Sequence, residues 1–170
     1  MRGSGIRPTS DMLRGAIFSM LESAATDWSR VVDFYAGTGA LGIEALSRGA
    51  EWADFVEHKP RLCALIKHNL EQTGFASQAA VYCMTSAKAL SILNEEYGIL
   101  LLDPPYGNTS IATIAEKLIS SPLVGMGSTV VIEHSRRVPL EQRYGHFHQI
   151  RNLHHGDSCV SVYQLAEGAS

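Results

Sequence analysis

Cysteine is scarce in this sequence: Cys63, Cys83 and Cys159 are odd in number and show no C-x-x-C spacing. That argues against a disulfide framework and reads as reduced, buried small hydrophobes. No apolar run approaches the roughly 20 residues that a membrane-spanning helix needs. An N-terminal charged-then-apolar signal pattern is also missing, so the cytoplasm is the expected location. There are no internal repeats, low-complexity tracts or long linkers, so residues 1–170 are expected to form one domain. Positive charge is in deficit as well. Fourteen Lys and Arg against 17 Asp and Glu give a net charge of −3, unusual for a protein that grips nucleic acid mainly through phosphates.

What charge there is clusters. Arg2, Arg7 and Arg14 face only Asp11 near the N-terminus. Arg136, Arg137, Arg143 and Arg151, with five histidines, dominate the segment from His134 to His155. Each cluster alone reads equally well as solvated surface or as a functional basic rim.

Hydrophobic spacing divides the chain into alternating elements. Pro8-Thr9-Ser10-Asp11 supplies a helix start, and Leu13, Ile17, Met20 and Leu21 then share one helical face. Strands are expected at Val31–Tyr35, Trp52–Val56, Ala79–Cys83, Ile99–Leu102 and Ser128–Glu133. Helices are expected over Leu41–Arg48, from Pro60 to a stop at Gly74, over Ala87–Asn94, and after Thr109 or Ser110. His146–Leu153 and Ser158–Leu165 read as a hairpin across Gly156-Asp157. Strands alternating with helices predict an α/β, doubly wound parallel sheet, with the hairpin adding antiparallel strands at one edge.

Two turns carry the chemistry. Ala36-Gly37-Thr38-Gly39-Ala40-Leu41-Gly42 follows the first strand and opens a helix, with glycines for a tight turn and for close helix packing. Glu57, 24 residues after Asp33, ends the next strand and can accept both hydroxyls of a ribose. A dinucleotide would place its pyrophosphate at this helix N-terminus. Asp33 would oppose that charge but could hold an ammonium, which favours a sulfonium cofactor with a zwitterionic end.

The second turn is Asp103-Pro104-Pro105-Tyr106, at the end of the apolar run Ile99–Leu102. Two prolines cannot continue a central strand, so the chain leaves the sheet there in a stiff turn. Ligands of open α/β sheets bind at such carboxyl ends. The Asp103 carboxylate and the Pro104 carbonyl make an acceptor pair suited to the two N–H bonds of a planar amine. Held so, the amine's lone pair can be aimed at a methyl group. Tyr106 can stack on a base lifted from its helix, a contact worth about 1–3 kcal/mol. Asp103, Pro104, Pro105 and Tyr106 are the expected catalytic residues.

These motifs, with Arg7-Pro8-Thr9-Ser10-Asp11, Asp33 to Ala50, Phe55-Val56-Glu57, Val131-Ile132-Glu133-His134 and Gly156-Asp157, resemble the RsmD family of 16S ribosomal RNA guanine-N2 methyltransferases. The resemblance implies a Rossmann-like class I fold with a seven-stranded, mostly parallel sheet. It implies S-adenosyl-L-methionine as cofactor and, as partner, 16S rRNA within an assembling small ribosomal subunit. The expected cofactor contacts are Arg7, Thr9, Asp33, Ala36, Gly37, Thr38, Gly39, Gly42, Glu57, His58, Thr85, Ser86 and Asp103. Arg7, Pro8 and Thr9 would fold over the cofactor mouth, and Glu133-His134 could line the substrate side. His134 reads equally as a satisfied surface histidine.

Three features depart from the family pattern. Only Met1–Ile6 precedes Arg7, read as a tag remnant or a shortened basic extension. Around Met84-Thr85-Ser86 only hydroxyls and backbone are offered to an adenine amine. The net charge is acidic. His154-His155 lack further ligands at metal spacing, so no metal site is expected. A monomer is expected, and the alternatives left open are adenine N6 or glutamine-amide methylation, a nicotinamide dehydrogenase, and a catalytically idle RNA- or ribosome-binding module.

Overall fold

A computed structural model describes residues 11–24, 26–105 and 111–165. Arg7, Pro8, Thr9, Tyr106 and the expected cap at Thr109 or Ser110 lie outside them. In chain order the elements are α1 (Asp11–Ser23), β1 (Val31–Phe34), α2 (Ala40–Ser47), β2 (Ala53–Glu57) and α3 (Pro60–Thr73). A short 3-10 turn at Ala76–Gln78 precedes β3 (Ala79–Cys83), α4 (Ser86–Ile92), β4 (Tyr97–Leu102) and α5 (Ile111–Ile119). Then come β5 (Val124–Ser135), β6 (Arg143–Tyr144), β7 (Phe147–His155) and β8 (Ser158–Leu165).

The strands form one sheet in the order β3-β2-β1-β4-β5-β8-β7-β6. The β3, β2, β1, β4 and β5 ladders are parallel, whereas β5–β8, β8–β7 and β7–β6 are antiparallel. Every residue of β1 and β4 is buried, as expected of central parallel strands covered on both faces. One apolar layer lies under α1, α2 and α3, with Leu13, Ile17, Phe55, Ile66 and Leu101 in it. The other, around Phe34, Leu100, Leu118 and Tyr163, lies under α5 on the opposite face.

The seven-stranded expectation is corrected to eight strands. The extra one, β6, is two residues long and rests on the pairs Arg143↔His148 and Tyr144↔Phe147. So short a run carries no alternating pattern for sequence reading to detect. The hairpin falls at the expected place, turning at Gly156 with φ 61°. β1 ends at Phe34 rather than at Tyr35, which takes φ 59°. Of the three cysteines, Cys63 and Cys159 are buried as expected; Cys83 is exposed, because β3 is the edge strand. Among the described residues no helix is long and apolar enough to cross a membrane.

The amino ends of the central strands are tied by a buried acid. Asp54 on β2 accepts hydrogen bonds from the Tyr97 hydroxyl at 2.5 Å and the Trp52 indole at 2.8 Å. The Arg30 guanidinium lies 3.3 Å away and stacks near both rings. This charge is therefore balanced locally, far from the opposite ends of the strands, where the candidate site lies.

Helix α2 sits against β2 with no room to spare. A Cβ at Gly42 would lie 2.4 Å from Cε1 of the fully buried Phe55. Gly42→Ala should lower stability by about 1–3 kcal/mol through overpacking, read as a fall in the unfolding midpoint in urea. An unchanged midpoint would show that the Phe55 ring can move aside without cost.

Candidate active site

The loop from Ala36 to Gly39 is held at every residue. The Ala36 amide donates to the Val56 carbonyl at 2.9 Å, and the Gly37 amide to Glu57 Oε1 at 2.9 Å. Asn69 on α3 donates its side-chain amide to the Thr38 carbonyl at 2.9 Å, and the Gly39 amide reaches back to the Ala36 carbonyl at 2.8 Å. Gly37 and Gly39 take φ of 59° and 85°, conformations that side chains rarely adopt. Tyr35 adopts φ 59° without being glycine, so the turn holds local strain at its entry.

Two strand-end carboxylates organise this loop. Asp33, 1% exposed, accepts the Gly42 amide at 3.0 Å and so supplies a partner for one of the free N–H groups of the first turn of α2. Its other oxygen, Oδ1, is buried with no hydrogen-bond partner among the described residues. Glu57, also buried, accepts from Gly37 through Oε1 and from the Lys59 amide at 3.0 Å through Oε2. Asp103 follows β4 at the same end of the sheet and raises the Asp33 pKa electrostatically, as Glu57 does. Burial is the larger cause, and together these push Asp33 up to about 8, with the Gly42 hydrogen bond opposing them.

Three acids gathered at one mouth suit a cationic ligand. The orphaned Oδ1 of Asp33 is an acceptor waiting for a donor, and an ammonium is the donor that also offsets the charge. The remaining lone pairs of Glu57 are available to hydroxyls. A Cβ at Gly37 would meet nothing within 4 Å, so the loop leaves room on that side. A pyrophosphate would bring more negative charge to a mouth whose acids already hold the Asp33 pKa up, and so could not offset it. The residues present therefore fit S-adenosyl-L-methionine better than a dinucleotide.

The other predicted site residues are placed unevenly. Pro104 is buried, Pro105 exposed and Asp103 half-buried. His58 is exposed, with Nδ1 3.7 Å from Glu57 Oε2. The Thr85 hydroxyl is engaged as the cap of α4, accepting from the Lys88 amide at 3.2 Å. Ser86 is buried, and its side chain offsets part of the rise that burial causes in the Tyr35 pKa. His134 is a buried residue, not a surface one. Its Nδ1 donates toward the Val138 carbonyl at 2.9 Å and the Ser135 carbonyl at 3.1 Å, while Nε2 accepts from the Ser161 hydroxyl at 2.8 Å. That engages both ring nitrogens, and burial lowers its pKa.

Sequence reasoning missed Asn69 and the unusual backbone at Tyr35. Asn69 lies between Ile66 and Leu70 on α3, where only its reach to Thr38 distinguishes it from any exposed helix residue.

The sheet order, the glycine loop after β1 and the acids at the carboxyl ends define a Rossmann-like α/β fold of the class I S-adenosylmethionine-dependent methyltransferases. An RNA methyltransferase from Salinibacter ruber, solved with S-adenosyl-L-homocysteine, shares this fold with a TM-score of 0.69 at 17% identity, over 96% of this chain and 97% of that one. YlbH of Bacillus subtilis is 32% identical over 165 residues, 95% of this chain and 89% of that protein. Ribosomal RNA small subunit methyltransferase D of Escherichia coli K12 is 34% identical over 102 residues, 60% of this chain and 50% of that protein. The family described as Conserved hypothetical protein 95 matches residues 1–164. The chain belongs to that family, the RsmD family its motifs resemble.

The raised pKa of Asp33 has a sign that can be measured. Folded protein keeps the proton up to about 8, whereas an unfolded chain releases it near 3.8. Between those values the native state binds more protons, so this group's contribution to stability is lost as pH rises through the folded value. Asp33→Asn should flatten that dependence. Calorimetric melts at about pH 6 and about pH 9 should show a larger fall for the unchanged protein than for the variant. Parallel falls would mean that Asp33 is ionised throughout.

Proposed function

We propose that this protein transfers a methyl group from S-adenosyl-L-methionine to the exocyclic N2 amine of a guanine in small-subunit ribosomal RNA. The observation that carries the reading is the buried, unpartnered Oδ1 of Asp33, grouped with Glu57 and Asp103 at adjoining strand ends. Family membership supports ribosomal RNA as the acceptor, and the motif resemblance supports the guanine amine.

The cofactor, when bound, supplies an electrophilic methyl carried on a sulfonium. Asp33, once its proton has left, would accept a hydrogen bond from the ammonium through Oδ1 while Oδ2 keeps the Gly42 amide. Glu57 holds the ribose hydroxyls with lone pairs that its contacts to Gly37 and Lys59 leave over. By the family resemblance Arg7 and Thr9 would contribute to holding the cofactor, with His58, Thr85 and Ser86 toward its adenosine. Asp103 and the Pro104 carbonyl accept the two N–H bonds of the guanine amine and turn its lone pair toward the methyl. In the transfer the N–C bond would form as the methyl–sulfur bond breaks, its electron pair returning to sulfur to leave neutral S-adenosyl-L-homocysteine; the Asp103 carboxylate would stabilise the positive charge growing on nitrogen and then take the proton. Tyr106 is the residue the motif offers to stack on the base.

Asp103→Ala should weaken S-adenosyl-L-homocysteine binding, read by calorimetry, far less than it slows transfer. Transfer to rRNA should fall by about two to four orders of magnitude, as expected for loss of a positioned acid–base group. Retained turnover would remove Asp103 from this role. Methylating stripped 16S rRNA, small subunits, DNA and a glutamine-bearing peptide with labelled donor tests the acceptor. Label at a guanine N2 alone is expected; label at an adenine or an amide would replace the guanine reading.

Asp33 predicts a second, independent signal. Its proton must leave when an ammonium docks on it, so S-adenosyl-L-homocysteine binding near neutral pH should release protons. Titrations in buffers of different ionisation heat measure that release, and Asp33→Asn should abolish it.

A further inference from the structure

Among the described arginines, Arg61 stands exposed on α3 and the other seven divide into two groups. Arg14, Arg30 and Arg48 are each paired with a carboxylate. Arg136, Arg137, Arg143 and Arg151 are exposed and have no acidic partner among the described residues. They lie in a stretch, residues 134–155, whose one acid is Glu141.

The fold gathers these charges. At Ile150, β7 carries a bulge, with Gln149 facing Tyr163 and Arg151 facing the next residue, Val162. Without the extra residue, Arg151 and His155 would point to the sheet face opposite His148. With it, Arg151 and His155 share a face with His148, because their partners Val162, Ser158 and Gln164 are spaced by twos along β8. Arg143 faces His148 on that same side. A basic stripe therefore runs along the outer strands and ends at His155, beside the β7–β8 turn.

That end of the stripe meets the mouth of the site. The Arg136 amide donates to the Asp157 carbonyl at 2.9 Å, and the Arg137 amide to the Ser135 hydroxyl at 3.1 Å. His134, bonded to the Val138 carbonyl and to Ser161, pins both ends of this short loop. The two arginines thus stand on a fixed platform just past β5, the strand next to β4 and its Asp103. From β4 to β7 is three strand spacings, about 14 Å.

We propose that Arg136, Arg137, Arg143, His148, Arg151 and His155 form a phosphate-binding track that holds the RNA backbone flanking the acceptor nucleotide. The inference rests on the RNA-methylation reading for the identity of the polyanion. An acidic protein is the less favoured partner. A protein interface needs an apolar centre, and the one large exposed hydrophobe among the described residues of these strands is Ile150, at the bulge. The exposed arginines of that face, with Leu153 between Arg151 and His155 packed against the core, match phosphates instead.

The test is a triple variant, Arg136→Gln/Arg137→Gln/Arg151→Gln, none of whose positions touches the cofactor loop. Binding of a 16S rRNA fragment is measured by fluorescence anisotropy across a salt series, with S-adenosyl-L-homocysteine calorimetry as the control for folding. RNA affinity should fall at least tenfold, and the slope of log affinity against log salt should shrink by about 2, from roughly 0.7 per lost phosphate contact on a single strand. Cofactor binding should not change. An unchanged slope would overturn the track, as would polyglutamate binding that depends equally on the three arginines. If the slope shrinks as expected but the unchanged protein methylates no RNA, the track stands and the methyltransferase reading fails.

Discussion

Two hydrogen bonds from backbone amides to strand-end carboxylates, Gly42 to Asp33 and Gly37 to Glu57, set the shape of everything around the site. The first locks the start of α2 over β1. The second fastens the glycine loop to β2. Both hold an acid in a buried position, and at Asp33 burial makes ionisation unfavourable without a compensating charge. The protein tolerates this at Asp33 by letting the group keep its proton, whereas at Asp54, on the other ends of the strands, Arg30 supplies the balance directly. The contrast separates a structural acid from one whose partner arrives from outside. Stability and ligand affinity consequently pull in opposite directions at Asp33, a common arrangement where a site is preformed.

Charge is sorted in space more sharply than the net value suggests. Acids converge at the carboxyl ends of β1, β2 and β4, while Arg136 and Arg137 stand past β5 and Arg143 and Arg151 on β6 and β7. An overall charge of −3 hides this, since it sums a cationic-ligand pocket with a polyanion-facing surface. The bulge at Ile150 completes the sorting by changing which face of β7 carries Arg151 and His155.

Much of the layout was legible in the sequence because it depends on local rules. Buried parallel strands read as continuous apolar runs, as at β4. Proline pairs end strands, as after Leu102, and glycines at fixed offsets mark the turn before α2. The hairpin at Gly156 showed as two strand-like runs joined across Gly156-Asp157. What escaped reading depends on contacts distant in sequence. Asn69 matters because of a carbonyl 31 residues earlier. His134 is buried because β8 brings Ser161 against it. Cys83 is exposed because β3 ends the sheet, and β6 exists only through two pairs with β7. Tyr35 has no glycine to signal its turn, since its backbone follows from the demand that the Ala36 amide meet Val56.

The position of β8 has a consequence for how such a chain is made. It is the last strand in sequence yet lies inside the sheet, hydrogen-bonded to β5 on one side and β7 on the other. During synthesis β5 therefore emerges long before its antiparallel neighbour exists, with an open edge of buried-type residues such as Val130 and Ile132. The outer strands β6 and β7 have no place in the sheet until Ser158–Leu165 is inserted between them and the rest. The parallel half can be laid down in order as the chain emerges; the antiparallel half closes only after translation of β8, from its middle outward.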